Sequence, residues 1–165
     1  MSRPIRSLLG SFKVAFYGIR YCIANERNMR IHLSIALGVV FLCAFYSFSA
    51  AQYALIVLLF CMVIAAEMLN TAIETVVNLL SPGYNHLAKL AKDIAAGAVL
   101  ICAVGAAVIG LILFCDPGGI GRLLAVMRAH PVLFFGGAIG YLLLAAAFIF
   151  VPEQKQNPRQ GKKDE

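Results

Sequence analysis

From Tyr53 to Leu80 the chain reads YALIVLLFCMVIAAEMLNTAIETVVNLL, an apolar run long enough to cross a bilayer as one helix. No other feature constrains the fold as much. Backbone crossing hydrocarbon must satisfy its own hydrogen bonds, which leaves a helix or a closed barrel. Similar runs occupy Ile31–Phe48, Ile94–Phe114 and Val132–Val151, the first of them short and opening with His32 and Ser34. Hydrophobic residues make up 61% of the 165 residues and charged ones 13%, about half the charged share of a soluble domain. The expected fold is all-α integral membrane. An N-terminal amphipathic helix and polar block (1–30) precede a core of three spans (31–115). An outer loop (116–131), an additional fourth transmembrane helix (132–151) and a disordered cytoplasmic tail (152–165) follow.

Within Ser7–Glu26, Leu8, Leu9, Phe12, Ala15, Phe16, Ile19 and Ile23 recur at three-and-four spacing, while Lys13, Tyr17 and Arg20 fall largely elsewhere. That pattern predicts an interfacial helix too polar to span. No cleavable signal peptide is expected, since no apolar stretch with a small-residue cleavage pattern precedes Asn25. Lys and Arg concentrate before the first span, at Lys89 and Lys92, and in the tail, against Arg122 and Arg128 in the 116–131 connection. The positive-inside rule then puts both termini and the Ser81–Lys92 loop in the cytoplasm. Most of the +6 net charge lies on flanks that face anionic lipid, so no nucleic-acid partner is expected. The five cysteines show no metal-ligand spacing and read as small hydrophobes. Gly97, Gly105 and Gly110, and Gly136-x-x-x-Gly140 in the last span, read as close-packing faces between helices.

The apolar run at Tyr53–Leu80 is broken by Glu67, Asn70 and Glu74. A carboxylate at membrane depth costs about 2.5–3.5 kcal/mol on insertion scales, which makes it a functional candidate. At ~100° per residue the three side chains share one stripe of a helix. Glu26, in the polar block Asn25–Arg30, belongs to the same depth, although an ion pair with Arg30 would also explain it. Lys92 and Asp93 stand at the mouth of the third span, where Lys92 also fits a snorkelling anchor. Hard oxygen ligands at one depth suit Mg²⁺, which keeps waters and binds through one or two carboxylates plus phosphates. With a lysine for phosphate oxygens and a spare carboxylate as base, the set matches the needs of phosphoryl transfer. Conventional nucleotide signatures are absent: there is no G-x-x-x-x-G-K-[ST], no G-x-G-x-x-G after a strand, and no H-R-D or D-F-G.

Glu67-Met-Leu-Asn70-Thr-Ala-Ile-Glu74-Thr-Val-Val resembles the E-x-L-N-[ST]-A-I-E-x-x-V signature of the small prokaryotic diacylglycerol kinase family, which includes undecaprenol kinases. Ala88-Lys-Leu-Ala-Lys92-Asp93-Ile-Ala-Ala-Gly-Ala-Val-Leu is similar to that family's A-K-x-A-K-D-x-A-A-G-A-V-L element. Asn25-Glu26 with Arg30-Ile-His, and Gly18-Ile-Arg20 before it, match its N-E block and amphipathic helix. The resemblance runs from about Phe12 to Phe114 and implies an ATP- and Mg²⁺-dependent lipid kinase, a homotrimer in a bacterial inner membrane with its sites at the cytoplasmic face. By position it implies Glu67 as general base on the lipid hydroxyl, oriented by Asn70. Glu26 and Glu74 would hold the metal with the nucleotide. Lys92 and Asp93 would contact ATP, with Tyr84 and Asn85 in the adjacent turn.

Three features depart from the family pattern. Asn78 stands where Asp is usual, the turn reads Tyr84-Asn85-His86 where Tyr-His is common, and Gly118–Glu165 adds a further span. The N-E-x-N-x-R-I-H and A-A-G-A-V-L wording is closer to the undecaprenol branch. An ion or proton carrier using Glu67 and Glu74 as relays is the alternative, but it calls for acids spread through the bilayer depth. A non-catalytic assembly factor, with the Glu/Asn face pairing helices, leaves the Lys92-Asp93 pair unexplained.

Overall fold

The computed structural model describes residues 8–81 and 83–152. The described residues form six helices: α1 (Leu8–Asn25), α2 (Arg27–Cys43), α3 (Ala50–Leu80), α4 (His86–Phe114), α5 (Pro117–Ala129) and α6 (Pro131–Ile149). No strand occurs among the described residues. The chain is thus an all-α membrane protein, with α3, α4 and α6 each long and apolar enough to cross a bilayer. Most of the tail expected at 152–165 lies outside the described residues.

α1 and α2 are separated by one residue. Glu26 leaves helical geometry with φ −110° and ψ 116°, yet its N–H still donates to Cys22 O at 2.8 Å. α2 therefore starts at Arg27, ahead of the expected Ile31, and ends at Cys43, short of the expected Phe48. Its 17 residues extend ~25 Å, less than a ~30 Å hydrocarbon core. Ala44, Phe45 and Tyr46 then close three-residue turns onto Phe41, Leu42 and Cys43. Ser49 and Gln52 start α3 with a reciprocal capping box. At 31 residues α3 is ~46 Å long, so its last turns extend beyond the hydrocarbon.

α4 returns along α3, the most extensive helix pairing in the molecule. At the end where α2 stops and α3 starts, Tyr46, Phe48, Tyr53 and Phe114 form an aromatic cluster, with Tyr46 Oη donating to Phe114 O at 2.9 Å. The connection expected as a loop at 116–131 instead holds α5. Asp116 Oδ2 accepts from Gly119 N–H at 2.7 Å and Pro117 occupies the first helical turn. Arg122 of α5 donates from Nε to Phe45 O at 2.8 Å, so this arginine serves a carbonyl just beyond the end of α2.

α6 then packs back against α2. The glycine faces expected to pack helices are not used within this chain. A Cβ added at Gly97, Gly105, Gly110, Gly136 or Gly140 would meet nothing within 4 Å. The close approach occurs at Gly38 instead, where an added Cβ would lie 3.0 Å from Tyr141 Oη. α1 leaves Leu8, Leu9, Phe12 and Phe16 uncovered by protein and buries Cys22, which fits a helix lying in an interface.

Candidate active site

The C-terminal half of α3 carries the polar stripe, and its i, i+3 and i+4 spacing aligns Glu67, Asn70 and Glu74 on one side. Glu67 and Asn70 are buried and Glu74 is half-buried. Asn70 Nδ2 donates to Glu74 Oε1 at 3.1 Å. Thr71 Oγ1 donates to Glu67 O, and Thr75 Oγ1 to Thr71 O. These hydroxyls hold α3's own carbonyls and leave the carboxylates for other partners.

Glu67 is 2% exposed. His32 Nε2 of α2 stands 3.3 Å from Glu67 Oε1, close enough for charge attraction, yet no donor among the described residues is aligned on that oxygen as a hydrogen bond. Asn70 Oδ1 is buried and unpartnered as well. Two orphaned acceptors in one buried patch are costly unless a ligand satisfies them.

Glu26 joins this patch from the α1–α2 break. Its side chain makes no capping hydrogen bond to α2. Burial pushes the Cys22 thiol of α1 up from its ordinary pKa; a hydrogen bond with Thr71 opposes this, and the carboxylates of Glu26 and Glu67 raise it further. One thiol therefore lies within electrostatic reach of both acids, which places α1, α2 and α3 around a common centre.

One turn beyond Glu74, Asn78 Oδ1 accepts from Lys92 Nζ at 2.6 Å. The polar line thus runs Asn70, Glu74, Asn78 along α3 and crosses to Lys92 on α4. Asn78 is neutral, so this bond positions the ammonium without cancelling its charge. Asp93 beside it is exposed, as is Tyr84. The turn side chain Asn85 is also at the surface, with its Oδ1 committed to Leu87 N–H and Ala88 N–H as the α4 N-cap. Of the expected residues, Glu67, Asn70 and Glu74 share one side of α3, Glu26 and Glu67 both act on the Cys22 thiol, Lys92 is tied to α3 through Asn78, and Asp93, Tyr84 and Asn85 are exposed.

His32 also lines a groove of about 580 Å³ between α2, α3 and α4. Val39, Ile56, Val63, Ala107 and Phe114 supply much of its wall, and His32 is its one ionisable nitrogen base. The groove runs from Phe114 of the aromatic cluster to His32, which in turn stands against Glu67. Sequence reasoning gave His32 no role, because its partner lies on another helix.

Residues 13–114, from the first half of α1 to the last residue of α4, match the family described as prokaryotic diacylglycerol kinase. The chain belongs to that family. A diacylglycerol kinase from Synechocystis sp. is 41% identical over 112 residues, 67% of this chain and 64% of that protein. The chain thus spans a little under two thirds of the length of that relative. An undecaprenol kinase from Bacillus subtilis is also 41% identical, over 105 residues that cover 63% of this chain and 85% of the relative. A diacylglycerol kinase from Haemophilus influenzae is 29% identical over 109 residues, 65% of this chain and 92% of its own length. No solved structure matches. α5 and α6 lie outside the span matched by the family.

Proposed function

We propose that this protein is an ATP- and Mg²⁺-dependent lipid kinase that transfers the γ-phosphate to the hydroxyl of a membrane lipid alcohol, diacylglycerol or undecaprenol. The observation that carries this reading is the orphaned Oε1 of buried Glu67, 3.3 Å from the His32 ring that lines an apolar groove. A lipid chain in the groove brings its hydroxyl to that oxygen. Glu67 takes the hydroxyl proton as the lipid oxygen bonds to the γ-phosphorus, the bond to the β–γ bridging oxygen breaks, and ADP leaves. Asn70 orients Glu74 through its Nδ2 bond. Lys92, held by neutral Asn78, offers its charge to phosphate oxygens.

The donor set fits magnesium. Among the described residues no three His, Cys, Asp or Glu side chains gather as a full cage. Mg²⁺ needs none, since it takes most ligands from water and phosphate. Glu26 and Glu74 would hold it, and the bound ion would neutralise charge on the phosphate oxygens. The uncovered apolar surfaces of α3 and α4 suit lipid and neighbouring protomers alike, in keeping with a homotrimer. The charge bias of the flanks supports an orientation with both termini and the site cytoplasmic, in a bacterial inner membrane.

The test is transfer of labelled γ-phosphate from ATP by detergent-purified protein, with diacylglycerol and undecaprenol side by side and Mg²⁺ present or chelated. Glu67→Gln is expected to lower the rate by about 10²–10⁴-fold while assembly survives. Absence of labelled lipid, with cation flux through reconstituted vesicles, would replace the kinase reading by the carrier.

A further inference from the structure

The match to the family stops where α4 ends, yet α6 returns to the site end of the molecule. It lies antiparallel to α2. The Tyr141 hydroxyl donates to Ser34 O, and the end of α6 reaches the first turn of α2. There Arg30, 2% exposed, donates from Nη1 to Val151 O at 2.7 Å. The Arg27 guanidinium sits 4.7 Å from the centroid of the Phe150 ring. Two cations therefore dock at the C-terminal end of α6, where unpaired carbonyls concentrate negative charge. Arg30 Nε is buried with no aligned acceptor, so the Val151 bond is a substantial part of what offsets this buried charge. The gripped turn is the one that bears the site: Arg30 N–H donates to Glu26 O at 3.3 Å, and His32 follows two residues later.

We infer that α6 is a positioning element for the site. Its C-terminal end holds Arg30 and Arg27, and so fixes the α1–α2 break from which Glu26 and His32 reach the Glu67 cluster. Arg30 is a positioning residue. A guanidinium suits this place because its fork can serve a carbonyl while remaining charged. Tyr141 sets the depth of docking, since Gly38 leaves room for its hydroxyl and little more.

The kinetic arm of the test rests on the kinase reading; the exchange arm does not. Full-length protein in lipid nanodiscs is compared with Arg30→Gln, Arg30→Lys and Gly38→Val. The last change forces α6 away from α2 about two turns from Arg30, without touching a site residue. Amide exchange over residues 26–32 is followed, together with KM for MgATP and for the lipid. Loss of a charge-assisted bond predicts exchange about tenfold faster and a KM for MgATP about tenfold higher in Arg30→Gln and Gly38→Val. The KM for lipid should stay within about twofold, and Arg30→Lys should recover part of both losses. Unchanged exchange in both variants overturns the inference. So does faster exchange with both KM values unmoved and only kcat reduced, the result of a merely structural brace. If the unmodified protein phosphorylates no lipid, the kinase reading fails, and exchange alone decides whether α6 holds the break.

Discussion

His32 Nε2 lies 3.3 Å from Glu67 Oε1 across the α2–α3 contact. The ring lines the groove and stands against the acid. His32→Leu is expected to lower kcat about tenfold, with His32→Gln intermediate because its amide can still donate. Steady-state transfer to lipid at saturating ATP checks this. Equal rates in the leucine variant and the unmodified protein would remove His32 from the site.

Asn78 gives a sharper test of the nucleotide end. Its neutral oxygen holds Lys92 at 2.6 Å. Asn78→Asp keeps the bond and adds a negative charge beside the ammonium. A surface pair of this kind is worth up to about 1 kcal/mol, so KM for ATP should rise about two- to fivefold while KM for lipid stays constant. A matching fall in KM for ATP would show that Lys92 acts through something other than its charge.

The stripe Glu67-Asn70-Glu74 was legible because its spacing repeats with the helix, and α3 carries it on one buried side. The pairings His32–Glu67, Asn78–Lys92 and Arg30–Val151 were not legible, because each joins different elements and only packing brings them together. α2 begins earlier than hydropathy suggests for the same reason. Met29 and Arg30 enter the helix buried, and α6 covers the charge. α5 did leave a signal. Pro117-Gly118-Gly119 reads as turn chemistry, but Asp116 before Pro117 is also a helix start, and Ile120, Leu123, Leu124 and Met127 recur at three-and-four spacing. The glycines of α4 and α6 take no part in packing within the chain, since a small-residue face shows only where helices could approach.

Cys22 reports on the closure of α1 over the site. Its pKa lies above the ordinary thiol value because burial, and then the nearby acids, disfavour the thiolate, against the opposing bond with Thr71. A raised pKa means less thiolate at any given pH below it, so alkylation is slowed and sets in at higher pH. At pH 8, iodoacetamide should label Cys22 about tenfold or more slowly than exposed Cys115, as read by peptide mass spectrometry. Glu26→Gln removes one acid from beside the thiol and should speed Cys22 labelling. No change would separate Glu26 from the cluster.

Gly119 fixes the corner where α5 meets the aromatic cluster. A Cβ there would overlap both Cδ1 and Cε1 of Tyr46. Those atoms form one edge of a rigid ring, and Tyr46 is buried with its hydroxyl on Phe114 O. The ring can move aside only by surrendering that bond and its edge contact with Phe114, 4.8 Å between centroids. Gly119→Ala is therefore expected to destabilise the fold by about 1–3 kcal/mol. Thermal unfolding in detergent reads this directly. Because the corner lies at the end opposite the carboxylates, KM values in the surviving folded protein should be unchanged. A rise in KM for MgATP would mean instead that strain at this corner travels down α6 to Arg30.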